Sequence, residues 1–231
     1  MFNEMDIVLG LQRLLIMGPV LLFSLSFHEM AHAWTSNRLG DPTARYLGRI
    51  TMDPAKHIDL FGTIIIPFMA ILLSGFSLIG WAKPVPFNPA NFDNWRRDST
   101  LVALAGPASN LLLAILFTIL FVVLHSLGLA SAPSGPLEEI LFSGSGVGAY
   151  LFGAVALNMG LALFNMMPVP PLDGSHILIN YLPEKYSMIL QQIGFMGIII
   201  LILLMNTPGI GDLYITVFSF LLAPFIYVFY F

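Results

Sequence analysis

Cysteine is absent from this chain. That excludes disulfides, thiolate metal ligands and a thiol nucleophile, so any metal site must be built from histidine and carboxylates. Charge is scarce as well. Only 10% of the 231 residues are Asp, Glu, Lys or Arg, against about 25% in an ordinary soluble domain. No stretch reads as a separate water-soluble domain, and there is no internal repeat. A basic patch with interleaved aromatics is also missing, which argues against a nucleic-acid partner. The net charge of -4 carries little information, because the placement of the charges matters more than their sum.

What the chain has instead is apolar length. Hydrophobic residues make up 57%, and the mean hydropathy is +0.86. Six apolar stretches stand out, at roughly 7–36, 62–81, 99–126, 147–167, 187–205 and 212–231. Each is near the length of about 20 residues that a helix needs to cross a bilayer. The expected fold is therefore an all-α polytopic membrane protein with five to six transmembrane helices. The first stretch does not read as a removable signal peptide, lacking a basic start and a small-residue exit. Residues 1–231 are expected to form one domain. Its core covers about 7–180, and two additional C-terminal helices cover about 187–231. After the first helix, Ala44 to Met52 alternates enough to suggest a short β-hairpin.

The nine Lys and Arg residues give an orientation. Arg38, Arg45, Arg49, Lys56, Lys83, Arg96 and Arg97 all fall between residues 38 and 97, whereas the 127–146 loop has none and carries Glu138 and Glu139. Basic loops favour the cytoplasm. All seven stay on one side if 62–81 dips into the membrane and returns, a turn that Pro67 and Gly75 permit. This re-entrant reading leaves five spans, with the N-terminus outside and the C-terminus inside. A crossing segment would make six.

Against this background His28-Glu29-Met30-Ala31-His32 is conspicuous. Two histidines four apart lie on one helix face, about one turn apart. They suit zinc, with the intervening glutamate as a base. The preceding Val20 to Phe27 is uncharged, and ionisable groups beside such a run are costly without partners. A catalytic zinc needs a third protein ligand. Asp173 is the best candidate. It ends Asn165-Met166-Met167-Pro168-Val169-Pro170-Pro171-Leu172-Asp173-Gly174, where prolines break the fourth apolar stretch. Its bland alternative is a helix cap. His57 and His176 are weaker candidates, and His125 reads as interfacial. Asp53 and Asp59 read as turn residues. Asn110 suits a bond to a neighbouring helix, with substrate binding as its other reading. Asn165 admits the same two readings, structural and functional, and the functional one is favoured because three residues later the chain bends into the Asp173 motif.

Taken together, H-E-x-x-H at 28–32, Gly-Pro-x-x-Asn at 106–110 and Asn-x-x-Pro with Leu-Asp-Gly at 165–174 resemble the site-2 protease family of intramembrane zinc metalloproteases. Gly48 to Thr51, Pro54 to His57 and Gly80-Trp81-Ala82-Lys83-Pro84-Val85-Pro86 are similar to a compact bacterial branch, without room for PDZ or CBS domains. Asp53 and Leu60 depart from that branch's usual Asn and Pro. The resemblance runs from about residue 20 to 180. It implies zinc held by His28, His32 and Asp173, and Glu29 as catalytic base. It also implies cleavage within or near a transmembrane segment of a membrane protein substrate in the lipid bilayer. The site would lie toward the cytoplasmic side of a bacterial inner membrane. The sequence leaves the oligomeric state open. Two rival readings are a metal-binding transporter and a catalytically inactive relative that binds transmembrane helices.

Overall fold

The computed structural model describes residues 4–65, 81–135, 146–194 and 196–230. Among them every regular element is helical. α1 is Glu4–Arg38, α2 Thr43–Tyr46, α3 Trp95–Ser126, α4 Val147–Asn165, α5 Asp173–Tyr181, α6 Glu184–Ile193, α7 Met196–Met205 and α8 Ile210–Tyr230. Four helices are long and apolar enough to cross a membrane: α1 from Val8, α3, α4 and α8. A fifth span is possible if α6 and α7 count as one, although they meet at a bend of 88°. The fifth apolar stretch is thus a broken helix, with Gly194 at positive φ in the break. The expected re-entrant turn falls on residues 66–80, outside the described residues; before it, Leu60–Ile65 forms a wide π-helical turn.

The expected hairpin is not there. Thr43–Tyr46 is a turn of helix instead. The reason is local polar chemistry that outweighs a short alternating pattern. Asp41 accepts from the Thr43 amide and hydroxyl at 3.2 and 2.5 Å, which starts a helical turn. Gly48, at φ +66°, then lets Arg49 N–H reach back to Ala44 O at 2.9 Å.

α3 is the centre of the bundle, packed against α1, α4 and α5. Asn94 caps it by accepting from Arg97 N–H, and Asp98 returns the favour to Asn94 N–H at 3.0 Å, a reciprocal N-terminal lock. At its other end Phe121 stacks on Phe229 of α8, which also meets Phe152 of α4 edge-on. Ala114, Ala149, Val155, Met159 and Leu222 complete this apolar cluster. Pro107 lies inside α3, which runs through it without a break. A proline there removes one N–H from the ladder and strains the turn before it.

Candidate metal centre

α1 carries His28 and His32 toward α3 and the start of α5. There the His28 and His32 Nε2 atoms lie 3.0 Å apart. The Asp173 carboxylate faces both, with Oδ2 at 3.1 Å from His28 and Oδ1 at 3.3 Å from His32. All three ligand atoms fall within 4.8 Å of one another. Asp173 is the first residue of α5, but the cap position is Leu172 and no side-chain cap bond forms there. The carboxylate is therefore directed at the histidines rather than spent on its own helix. Close packing makes this possible. A Cβ on Gly174 would stand 2.2 Å from Met166 O, so only glycine lets the 166–172 loop fold back tightly enough.

Each imidazole is held at its far nitrogen. His28 Nδ1–H donates to Asn110 Oδ1 and His32 Nδ1–H to Val102 O, both at 2.6 Å. With those protons on Nδ1, the neutral rings present bare Nε2 lone pairs to each other and to the carboxylate. Asp173 Oδ2 accordingly has no hydrogen-bond donor although it is buried. Converging lone pairs in a buried site call for a cation. Tetrahedral zinc with bonds of about 2.0–2.1 Å separates its ligand atoms by about 3.3 Å, close to the spacings here. Room for an ion is kept by Gly106. A Cβ there would lie 2.4 Å from His32 Nε2 and 2.5 Å from His28 Nε2. The donor set, the spacing and this cradle all fit zinc.

Glu29, between the two histidines, is 8% exposed. Its Oε2 accepts from Val85 N–H at 3.0 Å. The segment around Val85 is irregular and anchored along its length. Trp81 N–H bonds Gly62 O, Lys83 N–H bonds His57 O, and Asn88 N–H bonds Asp41 Oδ2. Arg49 grips the same segment by donating to Lys83 O. Its guanidinium is buried, with Nε unpartnered. Burial pushes its pKa down, and the nearby negative charge of Glu29 opposes that.

The remaining candidates lie outside the cluster of donor atoms, Asn110 alone of them touching one of its histidines. Asn165 donates to Leu161 O one turn back in α4. Asn110, fully buried, bonds His28 and donates to Asn158 Oδ1. His57 bonds Thr51 O, and His125 bonds Ala130 O. His176 is exposed, and the cluster does not include it. Asp53 and Asp59 accept from nearby backbone amides. Sequence reasoning passed over Asn158, and it gave Arg49 only as a basic residue and motif member and Val85 only as a motif member, with no role at the site. A polar residue deep in the apolar run 147–165 was a usable signal for Asn158. Nothing in the sequence marks the Val85 amide.

A histidine pair and an adjacent glutamate on a membrane-length helix, met by a carboxylate from the short α5, define the class, a membrane-embedded zinc metalloprotease. The chain belongs to peptidase family M50, the site-2 protease family, whose model matches residues 17–205. Among its curated relatives, the Bacillus subtilis protein named "Putative zinc metalloprotease YwhC" is 37% identical over 188 residues, covering 81% of this chain and 78% of the relative. "Putative zinc metalloprotease Rip2" of Mycolicibacterium smegmatis is 29% identical over 192 residues, covering 82% of this chain and 66% of the relative. The Rip2 of Mycobacterium tuberculosis is 28% identical over 193 residues, with the same coverage. The chain thus spans about two thirds of the mycobacterial relatives. No solved structure matches it.

Proposed function

We propose that this metalloprotease hydrolyses peptide bonds within or near transmembrane segments of membrane-anchored proteins, with zinc held by His28, His32 and Asp173. The observation that carries this reading is the convergence of these three side chains from α1 and α5, spaced 3.0–3.3 Å apart beside Glu29. Zinc bound there supplies Lewis acidity to a water and to the scissile carbonyl. Glu29 takes the proton from the attacking water and delivers it to the leaving nitrogen. One of its oxygens is engaged by Val85 N–H, which fixes the carboxylate while the other oxygen serves the proton. Asn165 contributes to oxyanion stabilisation once its amide turns from Leu161 O. Asn110 orients His28 through its Oδ1.

The substrate helix must unwind locally, because a helical peptide bond is already hydrogen-bonded and shielded from water. The basic residues clustered between 38 and 97 favour a cytoplasmic side for this end of the bundle in a bacterial inner membrane. The core, about 7–180, then forms one catalytic unit with α6–α8 appended. Co-expression with single-span membrane proteins, comparing the parent with Glu29→Gln, tests the reading. The expected result is cleavage in the parent and none in the variant, with zinc content equal in both. Zinc-dependent ion flux without proteolysis would contradict it.

A further inference from the structure

Three buried side chains behind His28 form a chain of hydrogen bonds that no part of the proposed reaction uses directly. Asn158, in the middle of α4, and Asn110, in α3, are 0% exposed, and so is Ser24 of α1. The polarity of this chain can be read from one end. Asn158 faces the Ala154 carbonyl at 2.9 Å. A carbonyl oxygen only accepts, so the amide atom facing it must be Nδ2. The second Nδ2 hydrogen goes to Ser24 Oγ at 2.9 Å. Asn158 therefore cannot flip without setting its oxygen against the Ala154 carbonyl, and its Oδ1 is obliged to face Asn110.

The obligation passes along. Asn158 Oδ1 accepts from Asn110 Nδ2 at 2.9 Å. Asn110 must then present Oδ1 to the imidazole, 2.6 Å from His28 Nδ1. That oxygen can only accept, so the proton of the neutral ring sits on Nδ1 and the lone pair on Nε2. We propose that Asn158 is a positioning residue, which through Asn110 fixes the His28 tautomer and keeps Nε2 ready for zinc. This rests on the reading of His28 as a zinc ligand. Without Asn158, Asn110 is free to turn its NH2 toward His28, which favours the opposite tautomer and disfavours metal at Nε2. His32 needs no such device, because its partner is the Val102 backbone carbonyl, which cannot flip. Two ligands on one helix are thus oriented in two ways, one by the main chain and one through two amides locked in series.

The test measures zinc affinity and ring tautomer in Asn158→Leu, with 15N spectra of histidine-labelled, zinc-free protein in mildly alkaline buffer. The parent is expected to show His28 protonated at Nδ1 alone. Asn158→Leu should show a mixture of tautomers and bind zinc about tenfold more weakly, the usual effect of losing an outer-shell partner. The effect should vanish in an Asn110→Asp background, because a carboxylate accepts from Nδ1 whichever way it turns. An unchanged tautomer and unchanged zinc affinity in Asn158→Leu overturn the proposal. A loss of affinity that persists in full in the Asn110→Asp background also overturns it, marking general damage to packing. His28→Ala separates the two levels. If it binds zinc as tightly as the parent, the proposed metal centre fails; if it binds zinc more weakly while Asn158→Leu does not, only the role of Asn158 fails.

Discussion

Phe121, Phe152 and Phe229 close one end of the bundle by aromatic packing. About three turns back along α3, roughly 16 Å by the helical rise from Phe121 to Asn110, helices α1, α3 and α4 bury His28, His32, Asn110, Asn158 and Ser24. In the first region a side chain can be exchanged for another of similar shape, because lipid and protein carbon are nearly equivalent partners. In the second, the fully buried Ser24, Asn110 and Asn158 each need a particular counterpart, because their polar atoms are shut off from solvent. The apolar end therefore tolerates change in identity, and the polar end does not. Directionality also differs. Packing has no donors and acceptors, whereas Ala154 O dictates the orientation of Asn158, Asn110 and His28 in turn.

The largest effect should come from the smallest substitution. Gly106→Ala places a methyl group where the two Nε2 atoms lie, and it should abolish zinc binding and cleavage together, as measured by competition with a chelator and by substrate processing. Its thermal stability should stay close to that of the parent, and a stability loss without a change in zinc affinity would break the contrast. Asn165→Ala comes next. It should lower kcat by about 10²–10³ if its amide reaches the oxyanion, with zinc content and KM unchanged; full activity would remove it from the mechanism.

At the apolar end the pattern should reverse. Phe229→Ala loses stacking against Phe121 and Phe152 and should cost about 1–3 kcal/mol in detergent unfolding, less than in a soluble core because lipid refills part of the space. Its zinc affinity should equal that of the parent. The smallest effect involves Asp41. Burial raises its pKa, but donors from Thr43, Asn88 and Asn91 outweigh this and hold it below the usual carboxylate value. Its stabilising contribution is thus complete above the ordinary aspartate range and fades as pH falls through the depressed folded value. An acid unfolding curve should therefore be flatter over that low-pH range for Asp41→Asn than for the parent.

Sequence made some of this legible and not the rest, for physical reasons. His28, Glu29 and His32 are a local pattern, since helix geometry alone puts residues four apart on one face. Asp173 stood out because prolines interrupt an apolar run just before it. The four long helices followed from hydropathy. The expected Ala44–Met52 hairpin does not form, because alternation over so few residues counts for less than the Asp41–Thr43 turn and the glycine at 48. Asn158 is a single polar letter in an apolar helix, and its partners, Ser24 and Asn110, lie 134 and 48 residues away in sequence. The Val85 amide is backbone and has no letter of its own. Arg49 reads as a cytoplasmic charge until the fold buries it. What sequence hides, in each case, is a specific partner brought in from a distant segment.

The account turns on which atoms hold the metal. X-ray absorption at the zinc edge, on the purified protein and on His28→Ala, His32→Ala and Asp173→Ala, measures that directly. The expected parent spectrum shows one zinc per chain with two imidazoles and oxygen ligands. One imidazole should disappear in whichever histidine variant still retains metal, and Asp173→Ala should keep both imidazoles while losing carboxylate oxygen. A parent with three imidazoles, or an unchanged shell in Asp173→Ala, would contradict it.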